Sequence, residues 1–184
     1  MEQAAAGLVH DALIYASEEE FRRVATLYVE DALDAREPVL VVASTDRIAL
    51  LEGAFGRRAA QIVFADASSW YGDPAETAAS YRRYIERRLA DGAQRVCILG
   101  ELVWPADSPD AVRAWQRYES EINAAFDGQP LWVMCAYDRR ALPEHVLTGA
   151  RRTHPVVWEN GLPQDSEQYL DPEAFASQLE SEPA

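Results

Sequence analysis

Short apolar runs alternate with amphipathic stretches along most of the chain, and this alternation limits the fold more than any other feature. The runs cover residues 9–15, 38–42, 60–64, 95–99 and 131–137, with a shorter one at 156–158. The second and fifth are almost wholly apolar, as expected of strands covered on both faces. The intervening stretches carry helix signals. Ser17 and Glu20 have the spacing of a capping box, and Phe21, Val24, Ala25, Tyr28 and Leu33 follow at helical period. Thr45 is placed to cap a second helix that stops near Gly53 or Gly56, and residues 76–90 form a third that closes at Asp91-Gly92. Ser108-Pro109 opens a fourth, running to Phe126, and a last one begins after Pro143. Residues 67–74 read as a polar, aromatic loop. Strand and helix in strict alternation give an α/β fold, a three-layer, mostly parallel sheet flanked by helices.

At 184 residues the chain suits one domain with a full core. After Arg152 no lysine or arginine appears, and from Glu159 the composition turns to Pro, Gln, Ser, Asp and Glu. We therefore divide it into a domain at 1–158 and an acidic tail or linker at 159–184, with a short helix expected near 172–179. The net charge is −14, opposite in sign to the footprint that phosphate contacts require, so nucleic acid is not an expected partner. An anionic membrane surface is disfavoured for the same reason, and no apolar run is long enough to span a bilayer. All 17 basic residues are arginine, which reads as compositional bias. Two cysteines, Cys97 and Cys135, both inside apolar runs, and no secretory signal indicate free thiols in a reducing cytoplasm.

Ligands of parallel α/β sheets bind at the carboxyl ends of the strands. A phosphate-binding loop there needs glycines and a lysine, but after the first strand the chain reads Tyr15-Ala16-Ser17-Glu18-Glu19-Glu20. Three carboxylates exclude a nucleotide phosphate from that turn. The other strand ends supply Asp66 and the Trp70-Tyr71 loop, Gly100, Glu101 and Trp104, and Tyr137 and Asp138. This aromatic, acidic rim suits a small organic or cationic ligand. Glu101 with Asp138 is an acid–base pair in form, yet ligand contact is the better expectation, and no enzymatic activity is expected. His10, Glu101, Cys135 and His154 are metal-ligand types but lie scattered, without a compact ligand spacing, so neither a metal nor another cofactor is expected. His10 falls near the start of its strand, away from the carboxyl edge, where a hydrogen-bonded structural histidine is the ordinary finding. Trp115 and Tyr118 share a helix face that reads as core, while exposed loop positions are expected for Trp70 and Trp104.

The landmarks His10 to Tyr15, Gly100 to Trp104, Trp115, Tyr118-Glu119, Cys135 to Asp138 and His154-Pro155, in this order, resemble the MEDS domain, a sensory domain of methanogen and methylotroph regulators. The resemblance covers roughly residues 7–158. It implies a RecA-like fold without a functional P-loop, a small-molecule ligand, and signal transduction to an attached domain or partner. In the actinobacterial-type members it most resembles, that output is often a histidine-kinase-type ATPase domain of the anti-sigma-factor kind. No kinase or DNA-binding module follows in this sequence, which is therefore expected to be either a stand-alone sensor or an excised sensory part; a regulatory protein and a homodimer are further expected partners. The ligand-binding set on this reading is Tyr15, Glu101, Trp104, Tyr118, Tyr137 and Asp138, with His10, Trp70, Trp115, Glu119, Cys135 and His154 as an outer group. The alternative is a protein-interaction module of a sigma-factor switch, involved in transcription regulation without a metabolite.

Overall fold

The computed structural model describes residues 7–105 and 107–181. Seven strands form one sheet: β1 (Leu8–Tyr15), β2 (Val39–Ala43), β3 (Ile62–Asp66), β4 (Val96–Gly100), β5 (Leu131–Asp138), β6 (Val156–Glu159) and β7 (Leu162–Asp165). Their order is β3-β2-β4-β5-β1-β6-β7, and every pairing is parallel except the terminal β6–β7 hairpin. The three-layer, mostly parallel sheet expected from the alternation is therefore the fold.

Helices α1 (Glu18–Asp34) and α2 (Thr45–Phe55) cover one face. Helices α4 (Pro74–Ala90), α5 (Pro109–Ala125) and α6 (Glu144–Thr153) cover the other. The capping box forms as the sequence implies: Ser17 Oγ accepts from the Glu20 amide at 3.1 Å, and the Glu20 carboxylate reaches back to the Ala16 amide at 2.8 Å. Residue Ser44, one before the expected Thr45, caps α2. Part of the expected loop is the single-turn helix α3 (Ala67–Trp70), capped by Asp66, whose carboxylate accepts from the Ser68 amide at 2.9 Å. Gly92 ends the α4 turn at φ 95, a conformation that a side chain disfavours.

Strand parity sorts the sheet residues. On β1, Leu13 and Tyr15 join the α1/α2 layer, while Ala12 and Ile14 join the α4–α6 layer. On β5, Met134 and Ala136 point to the first layer, and Leu131, Val133 and Tyr137 to the second. His10 and Cys135, by the same count, lie on the α5 side.

Residues 159–181 continue the fold instead of leaving it as a linker. β7 pairs with β6, and the expected short helix is α7 (Pro172–Ser181), whose Phe175 and Leu179 are buried. The Leu179 carbonyl accepts from Arg113 of α5 at 2.7 Å. Residues 182–184 of the expected tail lie outside the described residues. No helix among the described residues is long and apolar enough to cross a membrane.

Candidate functional site

The residues singled out in the sequence separate into two groups on opposite faces of the sheet. Tyr15, Glu101 and Asp138 meet at the carboxyl edge, where the Tyr15 hydroxyl donates to Glu101 Oε1 at 2.5 Å. Arg47, from the first turns of α2, lies within 3.7 Å of Glu101 and 3.5 Å of Asp138, and donates to the Tyr15 hydroxyl at 3.2 Å. Nothing in the sequence marked Arg47, because its role depends on α2 ending up across from strands distant in the chain. The Asp138 carboxyl is held below its ordinary range, chiefly by hydrogen bonds from Arg140. Burial and the neighbouring Glu101 push the Tyr15 phenol far up, so it stays a neutral donor. An open depression of about 330 Å³ lies over this group.

Trp104 and Trp70 do not stand exposed at this edge. Trp104 is 9% exposed and packs on Tyr137 with ring centroids 5.8 Å apart, and Trp70 packs on Tyr81 at 5.3 Å. Both indoles gain more from burial against neighbouring rings than a loop location suggests. Trp115 and Tyr118 are core residues as expected, in edge contact at 5.3 Å.

The second group lies inside the α4–α6 face. Side chains of His10 (β1), Glu119 (α5), Cys135 (β5) and His154 (end of α6) each present one ligand-type atom, and these atoms all lie within 4.8 Å of one another. Glu119 Oε2 is 3.5 Å from His10 Nε2, 3.4 Å from Cys135 Sγ and 3.6 Å from His154 Nε2, while Cys135 Sγ is 3.5 Å from His10 Nε2. Local structure explains each placement. β1 and β5 are hydrogen-bonded neighbours in parallel register, with Ala12 opposite Cys135. Glu119 follows Tyr118 on the inward face of α5. His154 leaves α6 in an extended conformation, φ −116 and ψ 125, as a residue before proline must. Glu101, grouped with the histidines and cysteine by residue type, belongs to the other face; Glu119 takes its place.

Both imidazoles are oriented from outside. Asn123, one helical turn beyond Glu119, donates through Nδ2 to the Thr153 carbonyl at 2.7 Å, which leaves its Oδ1 to accept from His10 Nδ1 at 3.1 Å. His154 Nδ1 donates to the Ala150 carbonyl at 2.9 Å. Each ring therefore carries its proton on Nδ1 and turns the Nε2 lone pair inward. His10 is thus hydrogen-bonded, as its place in the strand implies, through Nδ1 to Asn123 and through Nε2 to Cys135 Sγ. Burial, reinforced by His10, holds His154 well below the ordinary imidazole range, and it is 0% exposed with Nε2 lacking a hydrogen-bond partner. Burial and the adjacent Glu119 push the Cys135 thiol well up.

Beside this tetrad a narrow crevice of about 30 Å³ runs between α4, α5 and the sheet, lined by Tyr71, Tyr81, Gly100 and Tyr118, with Glu119 and Cys135 as its polar wall. Tyr71 and Tyr81 share a hydrogen bond at 2.8 Å. A Cβ on Gly100 would stand 2.7 Å from the Tyr71 hydroxyl, so only glycine leaves that ring its place. Sequence reasoning named neither Tyr81 nor Asn123. Their helical spacing marks them as inward-facing, but nothing in the chain announces what they face.

No curated protein matches the sequence. Among solved structures, flagellar accessory protein FlaH from Methanocaldococcus jannaschii is similar at 12% identity and a TM-score of 0.42, over 86% of this chain and 75% of its own. The cytoplasmic domain of EssC is similar at 10% identity and a TM-score of 0.42, over 86% of this chain and 34% of its own length. The family model described as MEDS, MEthanogen/methylotroph, DcmR Sensory domain, matches residues 9–155. That span takes in α1 to α6 and the strands that carry both residue groups, and the chain belongs to the MEDS family of sensory domains.

Proposed function

We propose that this domain senses a very small organic molecule, taken into the crevice between α4, α5 and the sheet. The observation that carries the reading is the crevice itself: aromatic walls of Tyr71, Tyr81 and Tyr118 closing on the polar atoms of Glu119 and Cys135, in a chain of a sensory family. Ligand sites are typically apolar enclosures with a few convergent polar groups. A volume of about 30 Å³ accommodates only one or two waters, so a ligand of a few heavy atoms fits only as the rings part. That parting is the signal: binding favours a conformation in which α4 and α5 stand further from the sheet. A regulatory protein, an attached kinase-type domain or a second copy of the chain then reads the change, in the cytoplasm and without catalysis. Two features support a non-catalytic role. The Cys135 thiol is disfavoured as a thiolate nucleophile by burial, and Glu101 and Asp138 are both engaged by Arg47.

Thermal unfolding in the presence of alcohols, amines and haloalkanes of up to about five heavy atoms tests this, the larger of them entering only as the rings part. At about a hundredfold excess over Kd, a true ligand stabilises by about 2.7 kcal/mol. Gly100→Ala, which drives the Tyr71 hydroxyl from its place, is expected to abolish that stabilisation while the protein remains folded. A response that survives Gly100→Ala places the ligand elsewhere, and a panel with no response rejects the reading.

A further inference from the structure

We propose that His10, Glu119, Cys135 and His154 form a binding site for a divalent transition-metal ion, zinc by preference. The argument starts from geometry. Zinc bonds of about 2.0–2.3 Å to nitrogen, oxygen and sulfur, arranged as a tetrahedron, place donor atoms about 3.3–3.8 Å apart. Four of the six donor separations in the tetrad are 3.4, 3.5, 3.5 and 3.6 Å. The Cys135 thiol is in hydrogen-bond contact with Glu119 and His10, but the fourth donor has no such partner. Here the His154 Nε2 lone pair, fully buried, faces a carboxylate oxygen with no hydrogen-bond partner, an arrangement that costs free energy until a cation lies between them.

The surroundings match a metal centre as well. Each histidine is fixed through Nδ1 by an oxygen acceptor, Asn123 Oδ1 or the Ala150 carbonyl, leaving Nε2 for the ion. The donors come from β1, α5, β5 and the α6–β6 junction, so an ion would tie both sequence halves to one point. The mixture of two imidazoles, a thiolate and a carboxylate suits zinc better than the hard cations magnesium or calcium. Four protein donors complete a tetrahedron, which is the form of a structural site. The site shares Glu119 and Cys135 with the wall of the crevice, but its test stands apart from the sensory reading: zinc bound by a domain that answers no small molecule refutes that reading and leaves this one standing.

The test uses the full chain, freed of metal by chelation, exposed to zinc and desalted. The expected content is about one zinc per chain. X-ray absorption at the zinc edge is expected to show one sulfur at about 2.3 Å and three nitrogen or oxygen neighbours at about 2.0–2.1 Å. Cobalt in place of zinc is expected to give a near-ultraviolet thiolate charge-transfer band that Cys135→Ser removes. Folded wild-type protein that retains less than about a tenth of an equivalent overturns the proposal. So does a zinc shell without sulfur, a result that needs no variant to fold, or a cobalt band that survives Cys135→Ser.

Discussion

Asp138 shows how differently two residues three positions apart can be employed. Cys135 points into the α5 face, whereas Asp138 ends the same strand at the carboxyl edge, bound by Arg140 at 2.9 and 2.6 Å and approached by Arg47 at 3.5 Å. Its carboxyl is held below the ordinary 3.8, first by the Arg140 hydrogen bonds. The folded state thus binds that proton less readily than the unfolded chain. The stabilisation is complete above the ordinary range and is lost as pH falls through the depressed folded value. Because Asp138 remains partly exposed, the effect is expected to be below about 1 kcal/mol. Urea titrations between pH 5 and pH 2.5 (about the range over which such carboxylates protonate) are expected to show a shallower loss of stability for Asp138→Asn than for wild type. Equal slopes contradict the assignment.

At the scale of elements, α5 carries the most information. One face supplies Tyr118 and Glu119 to the crevice and Asn123 to His10, and the adjoining face supports α6 through Gln116, which donates to the His145 carbonyl at 3.1 Å. Gly149 of α6 lies directly over Gln116, and a methyl group there collides with that side chain. Gly149→Ala is therefore expected to destabilise the protein by about 1–3 kcal/mol, by overpacking and by displacing the Gln116 hydrogen bond; unchanged chemical denaturation contradicts this packing. The helix and strand periods were legible because burial on a two-sided sheet demands them, and Ser17 and Ser108 announced their helices through cap chemistry. The β6–β7 hairpin was not legible. β7, Leu162–Asp165, has no apolar alternation and is exposed throughout, so only pairing with β6 and the Asn160-Gly161 turn, both at positive φ, define it. The same limit applied to the site. His10, Glu119, Cys135 and His154 were each visible as residue types, and strand parity alone puts His10 and Cys135 on definite faces. Their meeting depends on β1 and β5 being neighbours, a pairing across more than a hundred residues that no local pattern encodes.

Across the whole molecule, the parallel sheet divides two polar groups that a reading of strand ends had joined. The carboxyl edge holds Tyr15, Glu101 and Asp138 around Arg47, largely paired among themselves. The α4–α6 face holds the tetrad and the tyrosine-lined crevice, with an unpartnered buried imidazole nitrogen. A sensor needs groups that are incompletely satisfied before the ligand arrives, and the second region has them. The direct test is to follow the ring resonances of Tyr15, Tyr71, Tyr81 and Tyr118 by NMR, assigned by single Phe substitutions, while the stabilising compound from the small-molecule panel is titrated. The account predicts that Tyr71, Tyr81 and Tyr118 shift together and saturate, with Tyr15 unmoved. Shifts confined to Tyr15 would place sensing at the strand edge and contradict it.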